Sequence, residues 1–418
     1  MDEILGYLLD DLPTLKTCSL TCKCLFGATR PFIHRRLVCL GSRPEHPKPK
    51  RTLFSRRKRD PGIFKQLTNP DLLGVLHYTR HLTLKPKHIY YSPHFNPGDI
   101  QEYLPQLRSI TRLQSLTLET FYLSPFIPVF NEYFGSFTNT LQRLDTRDVG
   151  CAVPELLYII CQFPLLEDLA IVSPAGELSA HHEHPVPTIT RSPLLRGKLV
   201  VAQVHSRELF EGLAALPGGL NFRSLELRRC EHPEVIFAKC GHTATSISYS
   251  WSRGFPSESS PSILVCIMTQ PFWTLANPLD LGQCVALEAF EFNTMLSTVW
   301  KVSRWILQTL RTVTSTQFNE FVIWILDVTY PWFLRYPLLS DDSWGTLDVL
   351  LSALAERNPD FRVVFRGDFD SFRCSIGGEH DKVGSLVKRH LPLFSSKGLV
   401  KFEQVSHVEN RFRKSGIL

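Results

Sequence analysis

Metal-capable side chains gather at His181-His182-Glu183-His184, and such donors hold zinc when a helix sets them one turn apart. Pro174 and Pro185 flank the cluster, so it reads as a surface loop without that i, i+4 geometry. Cys18, Cys22 and Cys24 could serve metal or redox chemistry, yet no second Cys/His pair follows at finger spacing; Cys240-Gly241-His242 lacks one too. These thiols read as small core residues. Asp368 and Asp370 form the one close carboxylate pair near the C-terminus and are most simply turn residues. There is no glycine-rich loop ahead of a Lys-Ser or Lys-Thr pair, and no Gly-x-Ser-x-Gly elbow. No catalytic, cofactor-binding or metal-binding residue is expected, and the chain reads as a binding protein rather than an enzyme.

The elements that would position these residues begin with an N-terminal helical stretch. Ile4, Leu5, Leu8, Leu9 and Leu12 recur at helical spacing and make one apolar stripe. Thr14, after Pro13, reads as the N-cap of a second helix with Leu15, Cys18 and Cys22 along one side. Two short helices bury too little surface to stand alone, so a partner or the following domain must complete them.

Glu3-Ile4-Leu5, then Thr14-Leu15-Lys16-Thr17-Cys18-Ser19-Leu20-Thr21-Cys22, then Arg30-Pro31-Phe32-Ile33-His34-Arg35-Arg36-Leu37 together resemble the F-box, a helical module that docks on the Skp-type adaptor of cullin-RING ubiquitin ligases. The family's Leu-Pro pair has no counterpart before Glu3, which reads as a module clipped at its N-terminus, and Leu25 stands where relatives often carry Trp. The resemblance implies adaptor binding through Ile4, Leu5, Leu8, Leu9, Leu12, Leu15, Cys18, Leu20 and Cys22.

Composition suits a folded protein, with 43% apolar and 21% charged residues among 418. No apolar run has membrane-spanning length, and the acidic Asp2, Glu3, Asp10 and Asp11 do not suit a secretory signal. The eleven cysteines are odd in number and irregularly spaced, as in reduced intracellular thiols. The net charge of +6 is concentrated between Lys48 and Arg59, which carries seven basic residues and no acidic one. With prolines around it, this stretch reads as a solvated linker; Arg56-Arg57-Lys58-Arg59 could also be a nuclear-import signal. A cytoplasmic or nuclear location is expected.

Beyond residue 76 the sequence repeats. Leu82-Thr83-Leu84, Leu116-Thr117-Leu118, Leu144-Asp145-Thr146, Leu169-Ala170-Ile171, Leu199-Val200-Val201 and Leu225-Glu226-Leu227 follow one another at intervals of 34, 28, 25, 30 and 26 residues. Further strand centres are read at Phe290, Ile323, Val363 and Val400, with Ser246–Tyr249 or Ile263–Met268 as alternatives between Leu225 and Phe290. Amphipathic return helices are read at 153–161, 299–313, 347–356 and 386–394. Short strands with helical returns at this period are similar to leucine-rich repeats, here without the usual Asn or Cys turn position.

The expected fold is α/β: an F-box-like module at 1–41, a basic linker at 42–75, and at 76–410 an irregular leucine-rich-repeat solenoid with one curved parallel sheet. The resemblance to fungal F-box proteins with degenerate repeats implies a substrate-recognition subunit of an SCF-type ubiquitin ligase, with a Skp-type adaptor, a cullin complex and a protein substrate as partners. The alternative is a ligase-independent repeat scaffold with a non-docking F-box remnant. Neither a membrane nor nucleic acid is expected as a partner.

Overall fold

The computed structural model describes residues 11–40, 76–85, 104–120, 123–172, 189, 191–250, 278–294, 303–325, 343–367 and 382–405. Ile4, Leu5, Leu8, Leu9, the basic segment with Arg56–Arg59, the His181–His184 cluster and the Asp368/Asp370 pair lie outside them. Among the described residues no helix is long and apolar enough to cross a membrane.

The strands are β1 (Arg36–Leu40), β2 (His81–Lys85), β3 (Ser115–Glu119), β4 (Arg143–Arg147), β5 (Asp168–Val172), β6 (Lys198–Ala202), β7 (Ser224–Arg228), β8 (Ser246–Ser250), β9 (Ala289–Thr294), β10 (Glu320–Ile325), β11 (Arg362–Gly367) and β12 (Val400–Gln404). They form a twelve-stranded sheet whose spatial order is the chain order, and every register recorded is parallel. The chain divides into two compact units, Met1–Gly197 with Glu211–Gly218, and Lys198–Phe210 with Gly219–Leu418. Each of the ten strand centres read from the sequence lies in a strand, the candidate Ser246–Tyr249 falls in β8, and Ile263–Met268 lies outside the described residues.

Parallel strands of five or six residues must bury one row of alternate side chains, and register sets which rows stack. In the first unit Leu82, Leu116, Leu144 and Leu169 are register partners, and all are buried. In the second, Leu225, Ile247, Phe290, Phe321 and Val363 do the same. Aromatic residues extend this second row, with Phe290 and Phe321 stacked at 5.8 Å.

A backbone device locks successive repeats. The carbonyl just before several of the strands accepts two consecutive N–H groups from the next repeat. Arg35 O takes those of Arg80 and His81, Arg80 O those of Gln114 and Ser115, and Gln114 O those of Gln142 and Arg143, all at 2.8–3.0 Å. Arg223, Thr245 and Glu288 repeat the pattern in the second unit. Two donors per carbonyl satisfy backbone groups that the strand ends would otherwise bury unpaired.

The helices are α1 (Leu12–Thr21), α2 (Lys23–Ile33), α3 (Phe130–Phe134), α4 (Val153–Cys161), α5 (Arg207–Ala214), α6 (Pro233–Cys240), α7 (Ser303–Arg311), α8 (Ser343–Arg357), α9 (Lys382–His390) and α10 (Pro392–Ser396). Several returns in the first unit are instead short 3-10 turns, at Leu104–Ser109, Ser124–Val129 and Gly135–Phe137. Phe130 stacks on Phe134 at 4.7 Å, and Phe137 on Phe163 at 6.4 Å, so a spine of rings fills the space a longer helix would occupy. The expected helix at 386–394 is two helices. Pro392 brings no N–H to continue α9, and Leu391 leaves helical geometry at φ −124°, ψ 58°.

Two readings of the N-terminal region need correction. Arg36–Leu40, assigned to the helical module, is the first strand and pairs with β2. Asp11, not Thr14, caps α1: its carboxylate accepts the Thr14 N–H at 3.1 Å and the Thr14 hydroxyl at 2.5 Å. An aspartate with two donors three residues ahead is a better cap than a threonine already inside the first turn. Those bonds from Thr14 hold the Asp11 carboxyl below the usual carboxylate range.

Histidines give the fold a measurable pH dependence. Burial holds His34, His81 and His390 below the ordinary histidine value, with help from Arg30 and Lys16 at His34, four arginines at His81 and Arg389 at His390. The unfolded chain therefore binds protons that the folded chain refuses as pH falls through about 6.5. Full stability is present above that value and is lost below it, the loss levelling off below the folded pKa. Thermal unfolding should thus show a lower midpoint at pH 5.5 than at pH 8, and replacing all three histidines by glutamine should flatten the curve between them. Equal slopes for both chains would contradict this assignment.

Candidate functional site

The first candidate surface is the helical pair. Asp11 starts α1 and the backbone turns at Cys22, whose φ −159° and ψ 162° are fully extended. The Cys22 sulfur then accepts the Leu25 N–H at 3.4 Å and caps α2. Of the residues expected to meet an adaptor, Leu15 is fully buried, Cys18 is half-buried, and Leu20 and Cys22 are exposed. Leu15 therefore supports the surface from beneath instead of forming it. Cys22 is a junction residue, so the single-sided stripe of Leu15, Cys18 and Cys22 does not exist.

What the pair does offer is exposed apolar area. Leu20 is 86% exposed on α1 and Phe26 is 47% exposed on α2. Arg30 lies over the Phe26 ring at 4.9 Å, one helical turn away, and holds it by cation–π attraction. Phe26 was not singled out in the sequence; its apolar type beside the Cys22 turn is the only signal there was. Within α2, Thr29 is buried and its hydroxyl donates to the Leu25 carbonyl at 2.7 Å.

The second candidate is the sheet face opposite the leucine rows. In the first unit Arg147 grips Asp145 at 2.8 Å, and Lys85 pairs with Glu119 on the adjoining strand. The hydrogen bond to Asp145, ahead of its charge and that of Glu119, raises the Arg147 pKa against burial. In the second unit Glu226 sits between Lys198 at 2.5 Å and Arg228. Burial alone would raise the Glu226 pKa, but the two cations outweigh it and hold the carboxyl below its ordinary value. Next along, Ser248 donates to Glu291 at 3.0 Å and accepts from the Asn293 amide at 3.1 Å. Farther on the face turns apolar, where Val322, Trp324, Val364 and Val405 form a buried cluster.

Arg147, Lys85 and Glu226 are each matched by a partner of opposite sign, while Glu291 is held by the Ser248 hydroxyl. The described thiols of the repeats are buried: Cys161 is pushed up to about 11, and Cys230, Cys240 and Cys284 to about 12, all by desolvation. None of the four supplies a thiolate at neutral pH. Among the described residues no group of three or more His, Cys, Asp or Glu could hold a metal ion. No protein-family model and no curated protein matches this chain.

Proposed function

We propose that the chain is a substrate-recognition subunit of an SCF-type ubiquitin ligase, in which an F-box-like helical pair docks on a Skp-type adaptor and a leucine-rich-repeat solenoid holds a protein substrate. The carrying observation is that Leu20 and Phe26 stand out to solvent on a short helical pair that precedes a repeat-like parallel sheet. A large aliphatic side chain exposed to this extent on a helix suits an interface anchor. The reaction itself would belong to the ligase partners; this chain would contribute proximity, raising the effective concentration of substrate lysines.

The test uses the whole chain and a purified Skp-type adaptor. Co-elution is expected, and Leu20→Asp should weaken binding about thirtyfold, the loss of one interface hot spot. Its circular dichroism and melting should stay unchanged, because Leu20 is not a core residue. Failure of the unmodified chain to bind any such adaptor would reject this reading and favour a ligase-independent repeat scaffold.

A further inference from the structure

Six basic side chains that lie far apart in the sequence are brought to one edge of the first unit. Register aligns Arg36 of β1 with His81 of β2, Ser115 of β3 and Arg143 of β4. Arg35 and Arg80 precede the first two strands directly, and their backbones are joined by the Arg80 N–H to Arg35 carbonyl bond at 2.8 Å. Arg112 enters from the turn before β3, and its carbonyl accepts the Arg80 guanidinium at 3.3 Å.

These cations repel one another. Burial and then Arg112 and Arg35 lower the Arg80 pKa, and burial followed by the arginines of this edge lowers that of His81. The acids farther along the strands give no relief, since Glu119 is taken by Lys85 and Asp145 by Arg147. Among the described residues Arg35, Arg80, Arg112 and Arg143 make no ion pair, and the Arg35 Nε is buried without a hydrogen-bond partner. Four like charges, Arg35, Arg80, Arg112 and Arg143, kept together without counter-charge cost stability, and an anionic ligand would recover it.

We infer that this strand-leading edge binds a carboxylate-rich peptide, with its acidic side chains paired to the guanidinium groups of successive repeats. The dimensions agree. Neighbouring strands are about 4.8 Å apart, so β1 to β4 span roughly 14 Å, which an extended peptide covers in about five residues at 3.3 Å each. Arginine forks match carboxylates two bonds at a time. A peptide fits better than nucleic acid, because among the described residues this edge of a sheet presents no helix or ribbon to enter a groove. The inference rests on the substrate-receptor reading only in calling this peptide a substrate.

Fluorescence polarisation of the full chain tests it, with a labelled decapeptide alternating Glu and Gly and a Gln-Gly control. The Glu peptide should bind, the control should not, and added salt should weaken the complex. Arg112→Glu combined with Arg143→Glu should weaken it about tenfold or more. Both residues are exposed, so melting should be unchanged. A chain with Arg56–Arg59 replaced by alanine should bind as before. Equal affinity in the double variant, loss that follows the alanine variant, or tighter binding of a ten-residue oligothymidylate than of the peptide would overturn the site. Adaptor co-elution run in parallel separates the two proposals: without adaptor binding the receptor reading falls while a peptide site confirmed here stands.

Discussion

Leu169→Asp should be the most damaging single change in the first unit, costing more than about 4 kcal/mol. Leu169 is 1% exposed on β5 and stacks in register on Leu144 of β4. An aspartate there loses the transfer energy of the leucine and also places a carboxylate in an apolar row with no cation to meet it. Because stability in stacked repeats is largely a sum of nearest-neighbour terms, the damage should be local. Amide exchange should lose most protection in β4 and in α4, whose Leu156, Ile159 and Ile160 are buried, while β10 and β11 keep theirs. Leu165→Asp, four residues away at an exposed position, is the control and should shift stability by no more than about 0.5 kcal/mol. Uniform loss of protection over the whole sheet would show one cooperative block and refute nearest-neighbour behaviour.

Asp348→Ala should have the largest effect of any polar substitution in the second unit. Asp348 is on α8 and only 2% exposed, yet its two oxygens accept the Leu393 N–H at 2.8 Å and the Phe394 N–H at 2.9 Å. Those donors open α10, whose own cap residue, Leu391, has no side chain able to bond them. One carboxylate thus caps a helix that begins 44 residues later in the chain. Charge-assisted bonds are worth about 1.5–3 kcal/mol each, and truncation would leave the buried Phe394 N–H and the part-buried Leu393 N–H without their acceptor, so a loss of about 3 kcal/mol is expected. Asp348→Asn should recover part of it, since an amide oxygen can accept one of the two donors. Chemical denaturation checks the total. Amide exchange should place the loss in α10 and β12, and an unchanged midpoint for the alanine variant would disprove the capping role.

Much of the sheet was legible in the chain because its physical cause is local. A short strand buried on one side needs apolar residues at alternate positions, and Leu82, Leu116, Leu144, Leu169, Leu199 and Leu225 advertise that need whatever surrounds them. The return helix at Val153–Cys161 was equally plain: Pro154 suits its first turn, Glu155 reaches back to the Ala152 N–H at 2.8 Å, and its apolar residues are continuous. The strand Arg36–Leu40 was missed for the opposite reason. Arg36 and Val38 are exposed, so its alternation is weak, and only pairing with β2, 45 residues on, makes it a strand.

The candidate surfaces were less legible. Leu15 and Leu20 are chemically identical, and the resemblance placed both among the adaptor contacts; five residues apart on α1 they face different ways, and packing buries the first and leaves the second exposed. The basic linker drew attention as a contiguous run, whereas the arginines at the sheet edge come from separate turns: Arg35 with Arg36, then Arg80, Arg112 and Arg143, each set off by intervening chain. Types and periods of residues determined by themselves that this protein builds short parallel strands joined by return segments, several of them helical, since burial of alternate side chains depends on near neighbours. Tertiary structure alone decided which charges share an edge, which carboxylate caps which helix and which leucine meets solvent, because register and packing relate residues that the chain holds far apart.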